Sequence, residues 1–228
     1  MDSAPPTLDL YARMNDRFGD LGWWPGETPF EVAIGAILTQ NTVWTNVEKA
    51  IGNLKATGCL TPEKLFGLEE ADLAERIRPA GYFRVKARRL KAFLFFLQSR
   101  YNLSLERMFR EDTGILREEL LTVNGIGEET ADSILLYAGN RPVFVVDAYT
   151  RRILARHEWI DGSEPYGAVR DAIVNGLPEE VSLFKQYHAL FVQTGKIFCR
   201  KAQPLCEGCP VAGVGPRRAV RKGETGRA

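Results

Sequence analysis

Gly125-Ile126-Gly127 is the feature that most constrains this chain. An apolar stripe of Leu116, Leu120 and Val123 runs into it at helical spacing. Ala131, Ile134, Leu135 and Ala138 run out of it in the same way. Two helices must therefore meet at a tight turn. Glycine permits backbone angles closed to other residues and leaves no side chain in the path of an approaching group. The N–H groups at the start of the second helix then form an anion site, favoured by the helix dipole. Such a hairpin is either an ordinary helix–helix turn or a phosphate grip. Its candidate residues are Val123, Asn124, Gly125, Ile126 and Gly127.

Helical periodicity dominates the rest, so the expected fold class is all-α. Phe30, Ala33, Ile34, Ile37 and Leu38 form one stripe, opened by the capping box Thr28-Pro29-Phe30-Glu31. Thr61-Pro62 opens another helix by the same logic. Leu90, Phe93, Leu94 and Leu97 predict a long helix with Arg84, Lys86, Arg88, Arg89 and Lys91 as its basic face. Pro142 to Val146 is β-prone but short, and is expected as a buried extended link leading to Asp147. A chain of 228 residues that is 45% apolar can bury a proper core, and a net charge of +1 excludes a polycation. Met1 to Pro6 lacks the basic and apolar regions of a secretory signal, and no apolar run approaches the roughly 20 residues of a membrane span. A soluble, cytoplasmic protein is expected. A second basic cluster, Arg217, Arg218, Arg221 and Lys222, lies in a Gly- and Arg-rich tail expected to be frayed.

The stretch Leu120 to Asp132, with Val145-Val146-Asp147 downstream, resembles the helix-hairpin-helix and Asp signature of the endonuclease III superfamily of DNA glycosylases. The resemblance covers most of the chain. Leu38-Thr39-Gln40-Asn41-Thr42 is similar to the family's first core helix and the loop that enters DNA, and Gly195 falls where the family has a glycine. It implies two helical lobes: residues 23–131, a helical barrel including the hairpin, and residues 1–22 with 132–228. It also implies a monomer acting near the nucleoid on double-stranded DNA that contains a damaged base. Asp147 would be the catalytic carboxylate, although a helix N-cap is the commonest task for Asp at such a position. The two roles are compatible. A carboxylate near the deoxyribose stabilises the oxocarbenium character that develops as a flipped base departs, and it can orient or deprotonate water.

Members of that superfamily that also cut the strand carry a lysine where this chain has Glu129. A carboxylate cannot form the imine that leads to strand cleavage. The expectation is a monofunctional DNA N-glycosylase of base excision repair. Trp23-Trp24-Pro25, Gln40 to Trp44, and Gly125 to Asp132 resemble the 3-methyladenine branch, which implies alkylated purines as substrates. Trp24 and Trp44 are candidates to sandwich a cationic base, with core packing as the alternative. Gln40, helped by Asn41, is the candidate to fill the gap left by that base. Arg151 and Arg152 are candidates to reach phosphates. Two rivals stay open: a glycosylase and lyase for oxidised pyrimidines, and a non-catalytic DNA-binding protein.

Cys199, Cys206 and Cys209 reproduce the first three positions of the C-x6-C-x2-C-x5-C pattern that holds a [4Fe–4S] cluster in many endonuclease III relatives. The fourth position is Gly215. A cluster with another fourth ligand, a zinc site completed by another side chain, and a relic without metal all stay open. Cys59 stands apart and is expected to be a small buried hydrophobe.

Overall fold

The computed structural model describes residues 4–215, and the expected basic cluster at Arg217 to Lys222 lies outside them. The described residues are all-α, without a strand. Twelve helices follow in order: α1 (Thr7–Phe18), α2 (Pro29–Leu38), α3 (Trp44–Ala56), α4 (Pro62–Gly67), α5 (Glu70–Arg76), α6 (Phe83–Tyr101), α7 (Leu105–Met108), α8 (Thr113–Leu121), α9 (Glu128–Ser133), α10 (Ala148–Arg156), α11 (Tyr166–Val174) and α12 (Val181–Ile197). A π-helical turn, Ile134–Ala138, continues α9, and a 3-10 turn, Arg78–Ala80, precedes α6. The helix starts follow their local chemistry. Thr28, Thr61, Ser104 and Asp112 each accept a backbone N–H of the turn they open. Pro29 and Pro62 occupy first-turn positions where a missing N–H costs nothing.

Two compact units divide the chain. Trp24–Arg141 forms one, and the described residues up to Trp23 with those from Pro142 onward form the other. The expected boundary at 131 therefore lies inside the first unit, because the residues following it, in the π turn, pack on α2. That unit is built around α2, whose residues from Phe30 to Leu38 are all buried. A helix apolar on every side must be enclosed, and α3, α6, α9 and the π turn enclose it. In the second unit, α12 packs on α10 and α1. Phe144 of the extended link sits edge-on against Phe184 and Tyr187 of α12 at 5.7 Å each, and its buried neighbours Val145 and Val146 deliver Asp147 to the start of α10. The Tyr187 hydroxyl donates to the Thr7 carbonyl at 2.7 Å, which ties α1 to the same core.

The basic face expected on α6 divides in two. Arg84 and Arg88 are exposed. Lys91 turns inward and donates to the carbonyls of Phe66 (2.5 Å) and Leu68 (2.8 Å). Lys86 is 1% exposed, and its ammonium donates to Leu38 at 2.8 Å and Ala80 at 2.7 Å, closing the end of α2 and the 3-10 turn. Burial, and then the charge of Arg89, pushes the Lys86 ammonium down to about 8. The charged form of this lysine is thus disfavoured in the folded protein. Its cost is fully present below pH 8 and fades as pH rises toward the ordinary lysine range near 10.5, where the unfolded chain also loses its proton. Lys86→Met should destabilise the protein by about 2–3 kcal/mol in urea unfolding near pH 7, since two buried carbonyls lose their donor. The gap between wild type and variant should widen from pH 8 to pH 10.

Candidate functional site

The hairpin belongs to the first unit. The backbone turns at Gly125, with φ of +88°, and a Cβ there would collide with the side chain of Arg89. Glycine at 125 is therefore required by the fold. Gly127 differs. It caps α9 with φ of −96°, an ordinary value, and a Cβ there would meet nothing within 4 Å. Nothing inside the protein asks for glycine at 127, and its bare surface faces open space. No side chain caps the first turn of α9.

Four helices lock this turn. Gln40, just past α2, donates its amide to the Gly125 carbonyl at 3.0 Å and to Thr130 Oγ1 at 2.8 Å. Arg89 of α6 donates to the Gln40 Oε1. Arg117 of α8 grips the fully buried Asp132 of α9 with bonds of 2.7 and 3.3 Å. Gln40 is thus bound into the hairpin, and entering a gap in DNA would require breaking these bonds. Asn41 is exposed, with φ of +54°, at the tip of the α2–α3 loop, and Val43 beside it is 63% exposed. Val123 and Ile126 are buried supports of the turn, while Asn124 and Glu129 are exposed. Tyr82, 72% exposed with φ of +45°, escaped sequence reasoning; an aromatic directly after Gly81 was its only signal.

Trp24 and Trp44 meet, but not as two parallel faces. Their rings touch edge to face, with centroids 5.1 Å apart at 82°. No slot for a base lies between rings in contact, so the expected sandwich of these two is corrected to a single aromatic cluster. Tyr137 of the π turn completes it, 4.9 Å from Trp24. π turns are frequent at functional sites because they re-aim one side chain. Trp24 Nε1 is buried without a hydrogen-bond partner, whereas Trp44 Nε1 donates to Glu48 at 2.7 Å.

The carboxylate belongs to the second unit. Asp147 is 8% exposed and caps α10. Its Oδ1 accepts the Thr150 N–H at 2.7 Å and the Thr150 hydroxyl at 2.9 Å. Its Oδ2 lies 3.7 Å from Nε2 of His188 on α12. Burial pushes this carboxyl up. His188 and then the two Thr150 bonds outweigh burial and hold it below the usual carboxylate range. Capping and ionisation are therefore properties of one group. Lys196 of α12 sits over the Trp23 ring at 5.0 Å; burial lowers its ammonium, against the opposing pull of Asp147. Sequence reasoning missed Thr150 and His188. The Asp-x-x-Thr spacing was the signal for the first. For the second it was a histidine within the apolar stripe Phe184, Tyr187 and Phe191.

The arginines of α10 are bound within this unit. Arg151 donates to the Glu164 carbonyl at 2.9 Å, and Arg152 to those of Cys199 (2.7 Å) and Gly195 (3.2 Å). Gly195 is required there because a Cβ would collide with Tyr149. Arg156 donates to Cys199 Sγ at 3.2 Å and to the carbonyls of Arg200 and Lys201 at 2.7 and 2.8 Å. His157 Nδ1 lies 2.8 Å from the Val214 carbonyl.

Burial pushes the Cys209 thiol up, and the neighbouring Cys199 and Cys206 add to that shift, so the three cysteines lie near one another. Among the described residues no three His, Cys, Asp or Glu side chains converge as metal ligands. Cys199 is buried under Arg156, Cys206 is exposed, and Cys209 lies between these extremes. A Cβ at Gly215, the fourth position, would meet the Trp159 ring at 2.7 Å. Cys59 is half-buried, with its thiol 3.4 Å from the Thr57 carbonyl.

Residues 34–179 match the family described as HhH-GPD superfamily base excision DNA repair protein. The protein named "Putative DNA repair glycosylase MJ1434" from Methanocaldococcus jannaschii is 47% identical over 204 residues, covering 89% of this chain and 92% of the relative. Endonuclease III of Thermotoga maritima is 30% identical over 181 residues, 79% of each chain. Among solved structures, the H. pylori 3-methyladenine DNA glycosylase MagIII bound to 1,N6-ethenoadenine superposes with a TM-score of 0.73. It is 28% identical and covers 83% of this chain and 97% of its own. An endonuclease III–DNA complex, 21% identical with a TM-score of 0.79, shares the fold over 94% of this chain and 96% of its own. With the glycine hairpin and a capped, ionised Asp147 beneath these similarities, the chain belongs to the HhH-GPD superfamily of base excision repair proteins and is a DNA glycosylase.

Proposed function

We propose that this glycosylase is monofunctional, acts on alkylated purines of the 3-methyladenine kind in double-stranded DNA, and leaves an abasic site on an intact strand. The observation that carries the catalytic part is the buried Asp147, kept ionised with its Oδ1 fixed by Thr150. A fixed anion in a low-dielectric setting stabilises positive charge on the sugar far better than one in water. Water adds at C1′ as the C1′–N bond breaks, and the base leaves with the bonding electrons. A cationic base departs neutral, so no general acid is needed. Asp147 takes the proton of the water and passes it to solvent.

Two observations support the substrate class. The Trp24, Trp44 and Tyr137 cluster offers an electron-rich surface on which a cationic base can stack. The MagIII structure, 28% identical, holds an alkylated adenine analogue. Glu129 supports the single activity, since an exposed carboxylate stands where an amine is needed. Oxidised pyrimidines are the second reading, suggested by the 30% identity to endonuclease III. The Gly127 turn, with Asn124 and Arg88, is assigned to phosphates, and Asn41 and Tyr82 to the opened duplex. The proposed enzyme acts as a monomer on cytoplasmic DNA; among the described residues no helix is long and apolar enough to cross a membrane.

Single-turnover base release from duplexes carrying 3-methyladenine, ethenoadenine or thymine glycol tests the substrate reading, and release of thymine glycol alone would overturn it. Asp147→Asn keeps the cap and should lower release by about 10²–10⁴-fold with DNA binding retained. Borohydride should trap no covalent adduct in good yield. Gly127→Ala should leave stability within about 1 kcal/mol yet weaken DNA binding about tenfold, as expected when one charged hydrogen bond is lost. A variant that binds DNA normally would remove the hairpin from the interface. For the three cysteines we propose the relic without metal: iron and zinc in purified protein should be at background, and a stoichiometric metal with visible absorption would overturn it.

A further inference from the structure

We propose that His188 is the positioning residue of this active site: its imidazole fixes Oδ2 of Asp147, the oxygen outside the helix cap, and supplies the polar complement that a buried carboxylate needs. The inference rests on the catalytic role assigned to Asp147. The two carboxylate oxygens have unequal surroundings. Oδ1 has two bonds from Thr150, both within α10, and any capping Asp with Thr three residues on would have them. Oδ2 has none of these. It faces Nε2 of His188, 3.7 Å away, from a different helix 41 positions along the chain. His188 is 5% exposed and lies inside the apolar stripe of α12, where Phe184, Tyr187 and Phe191 surround Phe144.

A histidine in such a stripe displaces an apolar residue that would pack better, and burying a polar ring is costly. It recovers part of that cost through the carboxylate that it faces. The spacing of 3.7 Å is slightly too long for a hydrogen bond and too short to admit a water between the two. Imidazole and carboxylate therefore act on each other directly. Their approach is governed by the packing of α10 on α12, where Tyr149 seats against Gly195. The oxygen that His188 addresses is also the one not committed to the helix cap, and hence the one able to face sugar or water.

Charged and titratable groups reach the surroundings of Asp147 from two other helices. From α12 they are His188 and, farther along, Lys196; from α11, the Tyr166 hydroxyl accepts the Val146 N–H at 3.0 Å. Burial drives the Asp147 carboxyl up, and His188 is the leading influence that brings it down. A group with a lowered folded value stays ionised above that value and is neutralised as pH falls through it. Loss of His188 therefore moves the neutralisation of Asp147 to higher pH.

The test compares wild type, His188→Gln, His188→Ala and Asp147→Asn in single-turnover base release from pH 4.5 to 8.5, on a 3-methyladenine duplex and on any other duplex that the wild type processes. Both His188 variants should shift the acidic limb of the rate upward by about one pH unit or more. At neutral pH the maximal rate should fall while DNA affinity changes little, and His188→Gln, which keeps a donor, should retain more activity than His188→Ala. Unfolding midpoints and DNA binding identify a variant that merely misfolds, and His188→Gln, close to isosteric, serves if His188→Ala does. An acidic limb unmoved in a folded His188→Gln protein, with Asp147→Asn inactive, overturns the positioning role alone. Full activity of Asp147→Asn overturns the catalytic assignment and this inference with it.

Discussion

The hairpin is the constraint on which the first unit depends. A turn with a left-handed residue at Gly125 and uncapped N–H groups at its tip is not stable alone. It persists because four helices hold it at once. Gln40 reaches it from α2, Arg89 braces Gln40 from α6, and Arg117 of α8 is bonded to the buried Asp132 of α9. Losing one partner of such a buried pair typically costs about 3–5 kcal/mol, so the polar network and the apolar core around α2 are interdependent. Under the proposed function this rigidity would serve binding, because N–H groups set in position before DNA arrives need no ordering when they meet a phosphate.

The second unit answers a different problem, that of keeping a negative charge under cover. Burial pushes the Asp147 carboxyl toward its neutral form. The extended link from Pro142 to Val146 brings it to a helix start, where the dipole and the Thr150 donors favour an anion. His188 then addresses the other oxygen from α12. The same three residues cap a helix and hold an ionised carboxylate. The π turn in the other unit is a comparable economy: one extra residue per turn swings Tyr137 against Trp24 without ending the helix.

The C-terminal segment is tied down through its backbone. Three cysteines stand at cluster spacing, and Arg152 and Arg156 of α10, with His157 just past its end, hold backbone carbonyls of that segment. Trp159 covers the fourth position. Hydrogen bonds to carbonyls here do the work of anchoring the segment. Arginine suits the task because its planar fork can serve several carbonyls at once.

Much was legible in the chain because it depends on local chemistry. Thr28-Pro29 and Thr61-Pro62 start helices, the apolar stripes mark α2, α6 and α12, and the spacing of Gly125 and Gly127 makes a hairpin. The capping position of Asp147 was legible for the same reason. Side-chain destinations were not. Lys86 and Lys91 belong to the same basic run as Arg84 and Arg88, yet they turn inward to carbonyls contributed by distant segments. Gln40 looked free and is bound across 85 positions to Gly125, and Trp24 with Trp44 looked like two faces and is one cluster. His188 had no motif around it, since its partner lies on another helix. The sequence by itself determined the helices, the hairpin and the capping carboxylate, because propensity, capping and periodicity act within a few residues. Only the tertiary structure decided which polar groups meet, because those encounters depend on how helices far apart in the chain pack together.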